Sequence, residues 1–225
     1  MRSKTNQIKT HFDEIANRYD SFKQKYGFYY TNLKSLLSDL IPYQQKVLEI
    51  GCGTGDLLTH LRPKVGYGID LSPQMIKIAK SKHKKDNLFF SCRSIASFKS
   101  HRFDYIFASD VIEHLPRLED FFKEISLITK QNTKFICTIA NPLWEPVLMF
   151  AEKLHLKMPE GPHCRWSFDQ IKKTAKRHKL KIIEHDFKLL LPINLPIITN
   201  FVNQYLEPYL KRHAFIEYFV ATKNR

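Results

Sequence analysis

Glycine recurs at every second position in Gly51-Cys52-Gly53-Thr54-Gly55, and an acidic residue, Glu49, stands just ahead of it. Alternate glycines allow a sharp turn and a close backbone approach to a ligand, because no Cβ stands in the way. The pattern is G-x-G-x-G, not the G-x-G-x-x-G of a loop that seats a pyrophosphate on a helix N-terminus. With Glu49 beside it, the loop suits an ammonium better than a phosphate. A second anchor follows in Gly68-Ile69-Asp70-Leu71-Ser72, where Asp70 closes an apolar run. A carboxylate at the end of a strand can accept hydrogen bonds from both hydroxyls of a ribose. A third segment, Phe103-Asp104-Tyr105-Ile106-Phe107-Ala108-Ser109-Asp110-Val111-Ile112-Glu113-His114-Leu115, turns from apolar to polar at Ser109. Singly, a glycine turn can be only a turn and an Asp before a helix only an N-cap. Jointly the three describe a cradle for a positively charged nucleoside.

Such anchors need a scaffold that brings strand ends to one rim. Apolar runs of strand length fall at 47–50, 67–70, 88–92, 105–109, 134–139, 181–187 and 215–221. Amphipathic stretches of helical length fit between them at 56–61, 73–82, 118–129 and 168–178. This alternation predicts an α/β fold: a Rossmann-like, doubly wound, seven-stranded and mostly parallel sheet with helices on both faces. Phe12, Ile15, Tyr19 and Phe22, then Leu33, Leu36, Leu37 and Leu40, recur at helical spacing, so two helices precede the sheet. No internal repeat, low-complexity tract or linker interrupts the chain. One domain is expected over 1–225, with a helical lid at 1–42 and a cofactor-binding core at 43–140. Two stretches outside the alternation, 141–167 and 190–213, are expected as substrate-side insertions capping the active site.

These motifs resemble the class I S-adenosylmethionine-dependent methyltransferases, in particular the small-molecule and quinone-type branch, which carries F-D-x-x-A-x-x-Y-D near its N-terminus. Here that element reads Phe12-Asp13-Glu14-Ile15-Ala16-Asn17-Arg18-Tyr19-Asp20. The resemblance implies that Glu49, Gly51, Cys52, Gly53 and Gly55 line the methionine and ribose portion of S-adenosyl-L-methionine, whose product is S-adenosyl-L-homocysteine. It further implies that Asp70 holds the ribose diol, that Leu71 and Met75 flank the adenine, that Ser109 contacts the methionyl part, and that Tyr19 closes over it. Many relatives have a Gly-Asp pair after the third strand, whereas this chain has Cys92-Arg93-Ser94. Ser94 or a backbone group is the substitute contact for the adenine.

Methyl transfer from a sulfonium is an in-line displacement, so the protein's task is alignment and exclusion of water. A phenol or enol acceptor also needs its proton removed, and His114, with Glu113 beside it, is the nearest candidate base. The competing reading is that both only shape the turn into the next helix. His163, in Gly161-Pro162-His163-Cys164-Arg165-Trp166, lies in the first insertion and has either a substrate role or a loop-structuring one. No metal is expected: His11, His60 and His101 are solitary and His83 sits in a lysine run. No G-x-S-x-G nucleophile elbow occurs.

The chain has 225 residues, 43% of them hydrophobic, four widely spaced cysteines and a formal charge of +14. The cysteines have no C-x-x-C pair, and with no apolar run long enough to cross a bilayer this suggests a reduced, cytoplasmic protein. The charge attracts nucleic acid, anionic lipid or acidic ligands. The apolar residues of the two insertions favour an aromatic or lipid-linked acceptor, with peripheral contact to an anionic membrane. RNA methylation is the alternative, weakened by the lack of an N-P-P-Y or D-P-P-Y tetrapeptide; a non-catalytic cofactor-binding protein is the third reading. Oligomeric state and the acceptor atom are not encoded in these patterns, although oxygen or carbon is favoured.

Overall fold

The computed structural model describes residues 4–25, 27–153, 161 and 163–224. Its strands are β1 (Lys46–Ile50), β2 (Val65–Ile69), β3 (Leu88–Ser91), β4 (Tyr105–Ser109), β5 (Lys134–Ala140), β6 (Leu180–Lys188) and β7 (Ile216–Lys223). Its helices are α1 (Lys4–Lys25), α2 (Gly27–Leu40), α3 (Asp56–His60), α4 (Pro73–Lys82), α5 (Leu118–Ile128), α6 (Glu145–Lys153), α7 (Phe168–Arg177), α8 (Pro196–Phe201) and α9 (Glu207–Leu210). The strands form one sheet in the order β3-β2-β1-β4-β5-β7-β6, parallel except for β7, which runs antiparallel to both neighbours. This is the doubly wound, Rossmann-like arrangement expected from the alternation of elements. From β1 the chain winds outward through β2 and β3, then returns to place β4 on the other side of β1. The sheet's switch point therefore lies between β1 and β4, where open α/β sheets hold ligands.

Alternation along each strand explains the two layers. Val47, Phe107, Ile136 and Val220 pack with Leu33 and Leu37 of α2, Leu58 of α3 and Ile76 of α4. Their neighbours Leu48, Ile106, Phe135 and Phe219 pack on the opposite face with Phe122 and Ile125 of α5 and Ile171 of α7. On α5, Leu118, Phe121, Phe122, Ile125 and Ile128 share one buried stripe, each burial being worth about 1.5–3 kcal/mol. Local caps fix the helix starts. Ser72 accepts from the Met75 amide at the head of α4, and Ser167 with Gln170 forms a capping box on α7.

The boundaries differ from the sequence pattern where side chains compete with the ladder. β2 begins two residues earlier and stops at Ile69, because the Asp70 carboxylate turns forward to accept from the Ser72 amide. Between 141 and 167 the chain forms a short 3₁₀ turn and α6; residues 154–160 and 162 of that stretch lie outside the described residues. Between 190 and 213 it forms α8 and α9, joined by a π-helical turn, Val202–Leu206. No helix among the described residues is long and apolar enough to cross a membrane.

Candidate active site at the sheet's switch point

The loop after β1 lies across the switch point, and protein packing as well as backbone geometry demands its glycines. Gly51 has φ +70°, and a Cβ there would stand 2.4 Å from Cγ2 of Val111 in the loop after β4. Gly53 has φ +50°, and its Cβ would stand 3.1 Å from the Tyr19 ring of α1. Tyr19 thus rests directly on the loop. Gly55 stands at the N-cap of α3, and Cys52 is buried, its thiol pushed up by desolvation.

Asp70 reaches the same loop from β2. Its Oδ2 accepts from the Gly53 amide and its Oδ1 from the Ser72 amide, both at 2.8 Å. Burial raises its carboxyl above the ordinary value, against those two bonds. Each oxygen keeps a further lone pair for a hydroxyl donor. Leu71 beside it is 52% exposed, whereas Met75 is fully buried against Ile15 and Ala16 of α1. Ser94 is exposed at the head of a 3₁₀ turn, and its carbonyl accepts from the Ser97 hydroxyl.

A polar row runs beneath α1 and α2 at the strand ends. Glu49 is buried and accepts from the Leu58 amide at 3.1 Å; burial pushes its carboxyl well up, while nearby Lys23 opposes that shift. The Lys23 side chain, 11% exposed, lies over the rings of Tyr19 and Tyr30 and 3.5 Å from Asp56. The Tyr29 hydroxyl donates to Asp110 Oδ2 at 2.7 Å. Asp110 follows β4 directly and holds φ +54°, a left-handed conformation that costs a non-glycine residue energy and clusters at functional sites. The hydroxyl oxygens of Ser109 and of its register partner Thr138 are buried with no hydrogen-bond partner among the described residues. Lone pairs on Asp70 and the unsatisfied Ser109 hydroxyl, beside a loop with a carboxylate behind it, fit a cationic nucleoside.

Two carboxylates of the N-terminal helix fasten it over this row. Asp13 accepts from the Ser72 hydroxyl at 2.5 Å and the Gln74 amide at 3.3 Å, and Asp20 from the Thr54 hydroxyl at 2.6 Å and Lys82 at 2.7 Å. Sequence reading named both, like Asp110, within a motif but gave them no role, and it missed Lys23, Tyr29 and Tyr30 outright. The Lys23–Asp56 and Tyr29–Asp110 pairs join residues far apart in sequence, so spacing carries no signal for them.

Of the three candidate catalytic residues, Glu113 and His163 line one small cavity beyond β4, whereas the His114 ring turns to α1. Glu113 and His114 form a single 3₁₀ turn, the His114 ring meets Phe12 of α1 edge-on at 5.3 Å, and the Glu113 carbonyl accepts from the Cys164 amide at 2.5 Å. This bond brings the 163–166 segment against the turn. His163 Nε2 lies 3.2 Å from Glu145 Oε1, which also accepts from Arg165 at 2.8 Å. Partial burial opposes ionisation of Glu145, but those two partners prevail and hold its carboxyl below the ordinary range. A small cavity of 50 Å³ lies here among Ile112, Glu113, Leu148, His163 and Trp166. A cleft of 930 Å³ opens next to it, where Asn141, Trp166, Phe168 and His185 meet. The larger space is not over the glycine loop, because α1 occupies that position.

Residues 22–185 match the family model described as a methyltransferase domain. The chain belongs to that family. Its members, the S-adenosylmethionine-dependent class I methyltransferases, take as cofactor the cationic nucleoside that the site fits. A protein of Methanocaldococcus jannaschii is 32% identical over 139 residues, 60% of this chain and 52% of that one. The chain therefore spans about half the length of that relative. The ubiquinone biosynthesis O-methyltransferase of Pelagibacter ubique is 28% identical over 180 residues, 70% of this chain and 74% of that one. In fold, the chain is similar to a Haloferax volcanii methyltransferase solved with the Trm112 methyltransferase activator. That likeness has TM-score 0.74 and 21% identity, and covers 97% of this chain and 98% of the other. The magnesium protoporphyrin IX methyltransferase of Synechocystis, solved with S-adenosylhomocysteine, gives TM-score 0.67 at 14% identity over 99% and 100% of the two chains.

Proposed function

We propose that this chain transfers a methyl group from S-adenosylmethionine to a small-molecule, quinone-like or lipid-linked acceptor, with oxygen or carbon as the receiving atom. The observation that carries the reading is the convergence of Asp70, the Gly51–Gly55 loop and the Glu113–His114 turn on one rim of the sheet. When bound, the cofactor supplies an electrophilic methyl on a sulfonium. Asp70 holds the ribose diol; Glu49, Gly51, Cys52, Gly53 and Gly55 with Ser109 surround the methionyl end; Leu71, Met75 and Ser94 serve the adenine side. Tyr19 covers the loop and excludes water. His114 takes the acceptor's proton, with Glu113 beside it, and His163, held by Glu145, orients the acceptor.

In this reading 1–42 is a lid, 43–140 the cofactor core, and 141–167 and 190–213 the acceptor-side insertions of a single domain. Exposed Leu143, Val147, Met149 and Phe150 on and beside α6 supply an apolar approach, and the relation to a ubiquinone-pathway enzyme supports an O-methyl acceptor. The +14 charge supports peripheral contact with an anionic membrane from the cytoplasmic side. It equally motivates a second reading, RNA as acceptor.

The test is incubation of purified protein and methyl-tritiated cofactor with fractionated lysate. Label is expected in the organic extract, lost in Asp70→Ala and strongly reduced in His114→Ala. Label in RNA would favour the second reading. Label in neither fraction, with cofactor still bound, would leave a binding protein and overturn the proposal.

A further inference from the structure

Residues 193–210 are built inside out. Thr199, Asn203 and Glu207, four residues apart, face inward: Thr199 bonds the Ile193 carbonyl and the Leu195 amide, Asn203 bonds both polar groups of Leu191, and Glu207 accepts from the Leu189 and Leu190 amides. Two residues away, which is close to half a turn of helix, Ile197, Phe201, Tyr205 and Tyr209 form the outward row. Ile197 is 88% exposed and Tyr209 85%, and the Phe201 and Tyr205 rings touch at 5.2 Å. A four-residue step overruns an α-helical turn by about 40°. The π-helical turn Val202–Leu206, with its wider coil, takes back part of that drift and keeps the row aligned. Exposed Ile193, Leu195 and Ile198 broaden the apolar face. A water-facing helix has the opposite polarity.

We propose that this outward face docks on an anionic lipid bilayer. Charge selects that occupant. Within 189–213 the sole acidic residue is Glu207, which is buried and committed to backbone amides, while Arg212 stands at the end of the row beside Lys211, whose ammonium pairs with Asp186. Apolar side chains enter the boundary of headgroups and acyl chains, tyrosines sit at that level with their hydroxyls in water, and Arg212 meets lipid phosphates. A second copy of the chain would bring the same basic rim and +14 charge against itself. The inference deepens the reading of a lipid-linked acceptor, but docking is measured without turnover, so either can fail alone.

The experiment is flotation of the full chain with vesicles of phosphatidylcholine alone, or mixed with phosphatidylglycerol, at low and high salt. The protein is expected to float with the mixed vesicles at low salt and largely to leave them at high salt. Ile197→Asp with Tyr209→Asp should cut the bound fraction at least about tenfold while S-adenosylhomocysteine affinity is unchanged. Arg212→Glu should weaken binding to mixed vesicles only. Wild-type protein that stays unbound, or a double variant that floats as well as wild type, would overturn the proposal. So would a dimer, dissolved by the double variant, in place of vesicle binding.

Discussion

Removing the carboxylates of Asp13 and Asp20 should release the N-terminal helix without unfolding the sheet. Asp13→Ala deletes the acceptor of the Ser72 hydroxyl and the Gln74 amide, and with it a negative charge at the head of α4. A charged hydrogen bond is worth about 1.5–3 kcal/mol and a helix-terminus charge about 0.3–1 kcal/mol. The Gln74 bond is long and the Lys9 pair half exposed, so about 1–2 kcal/mol is expected from the whole substitution. Asp20→Ala deletes the bonds from Thr54 and from the part-exposed Lys82, for a similar amount. The two carboxylates hold separate partners, so the effects should roughly add, to about 2–4 kcal/mol, or on the order of 30- to 1000-fold in the opening equilibrium. Hydrogen exchange by mass spectrometry reads this directly: amides of α1 should lose protection while those of α5 keep theirs. Unchanged protection of α1 in the double variant would refute the clamp. Equal loss in α1 and α5 would show that the carboxylates support the whole fold instead.

Gly51→Ala places a Cβ 2.4 Å from Val111 and forces an L side chain to φ +70°; it should cost about 2–4 kcal/mol of stability by urea denaturation. Gly51→Ala with Val111→Ala should recover only the steric part, leaving about 1–2 kcal/mol of backbone strain. Asp70 takes its proton more readily folded than unfolded, since burial raises its folded value above 3.8. This group alone therefore adds stability to the ligand-free chain below that pH and loses it as pH rises past the raised value. Binding of S-adenosylhomocysteine needs the carboxylate, so affinity should fall as pH drops toward the raised value, and Asp70→Asn should flatten that dependence in calorimetric titrations.

The scaffold was legible because its central strands are buried on both faces and read as apolar runs: Ile106, Phe107 and Ala108 of β4 all lie in the core. Strand ends were less legible, since Asp70 leaves β2 through a bond to an amide two residues on, which competes locally with the ladder. The glycine loop was recognised by spacing, yet the side chains against it, Val111 and Tyr19, come from elsewhere in the chain. The clamp was hidden for the same reason: Asp13 meets Ser72 across 59 positions and Asp20 meets Thr54 across 34. The residues of 190–213 were visibly apolar, but a hydrophobic pattern does not say which side faces water. Only the inward bonds of Thr199, Asn203 and Glu207 reveal that the apolar row points out.

Isothermal calorimetry of the purified chain with S-adenosylhomocysteine bears most directly on the cradle formed by Asp70 and the loop after β1. Saturable one-to-one binding, lost in Asp70→Ala while the variant melts as wild type, is the predicted result. No heat with S-adenosylhomocysteine or S-adenosylmethionine, together with tight binding of a nicotinamide or flavin nucleotide, would contradict it.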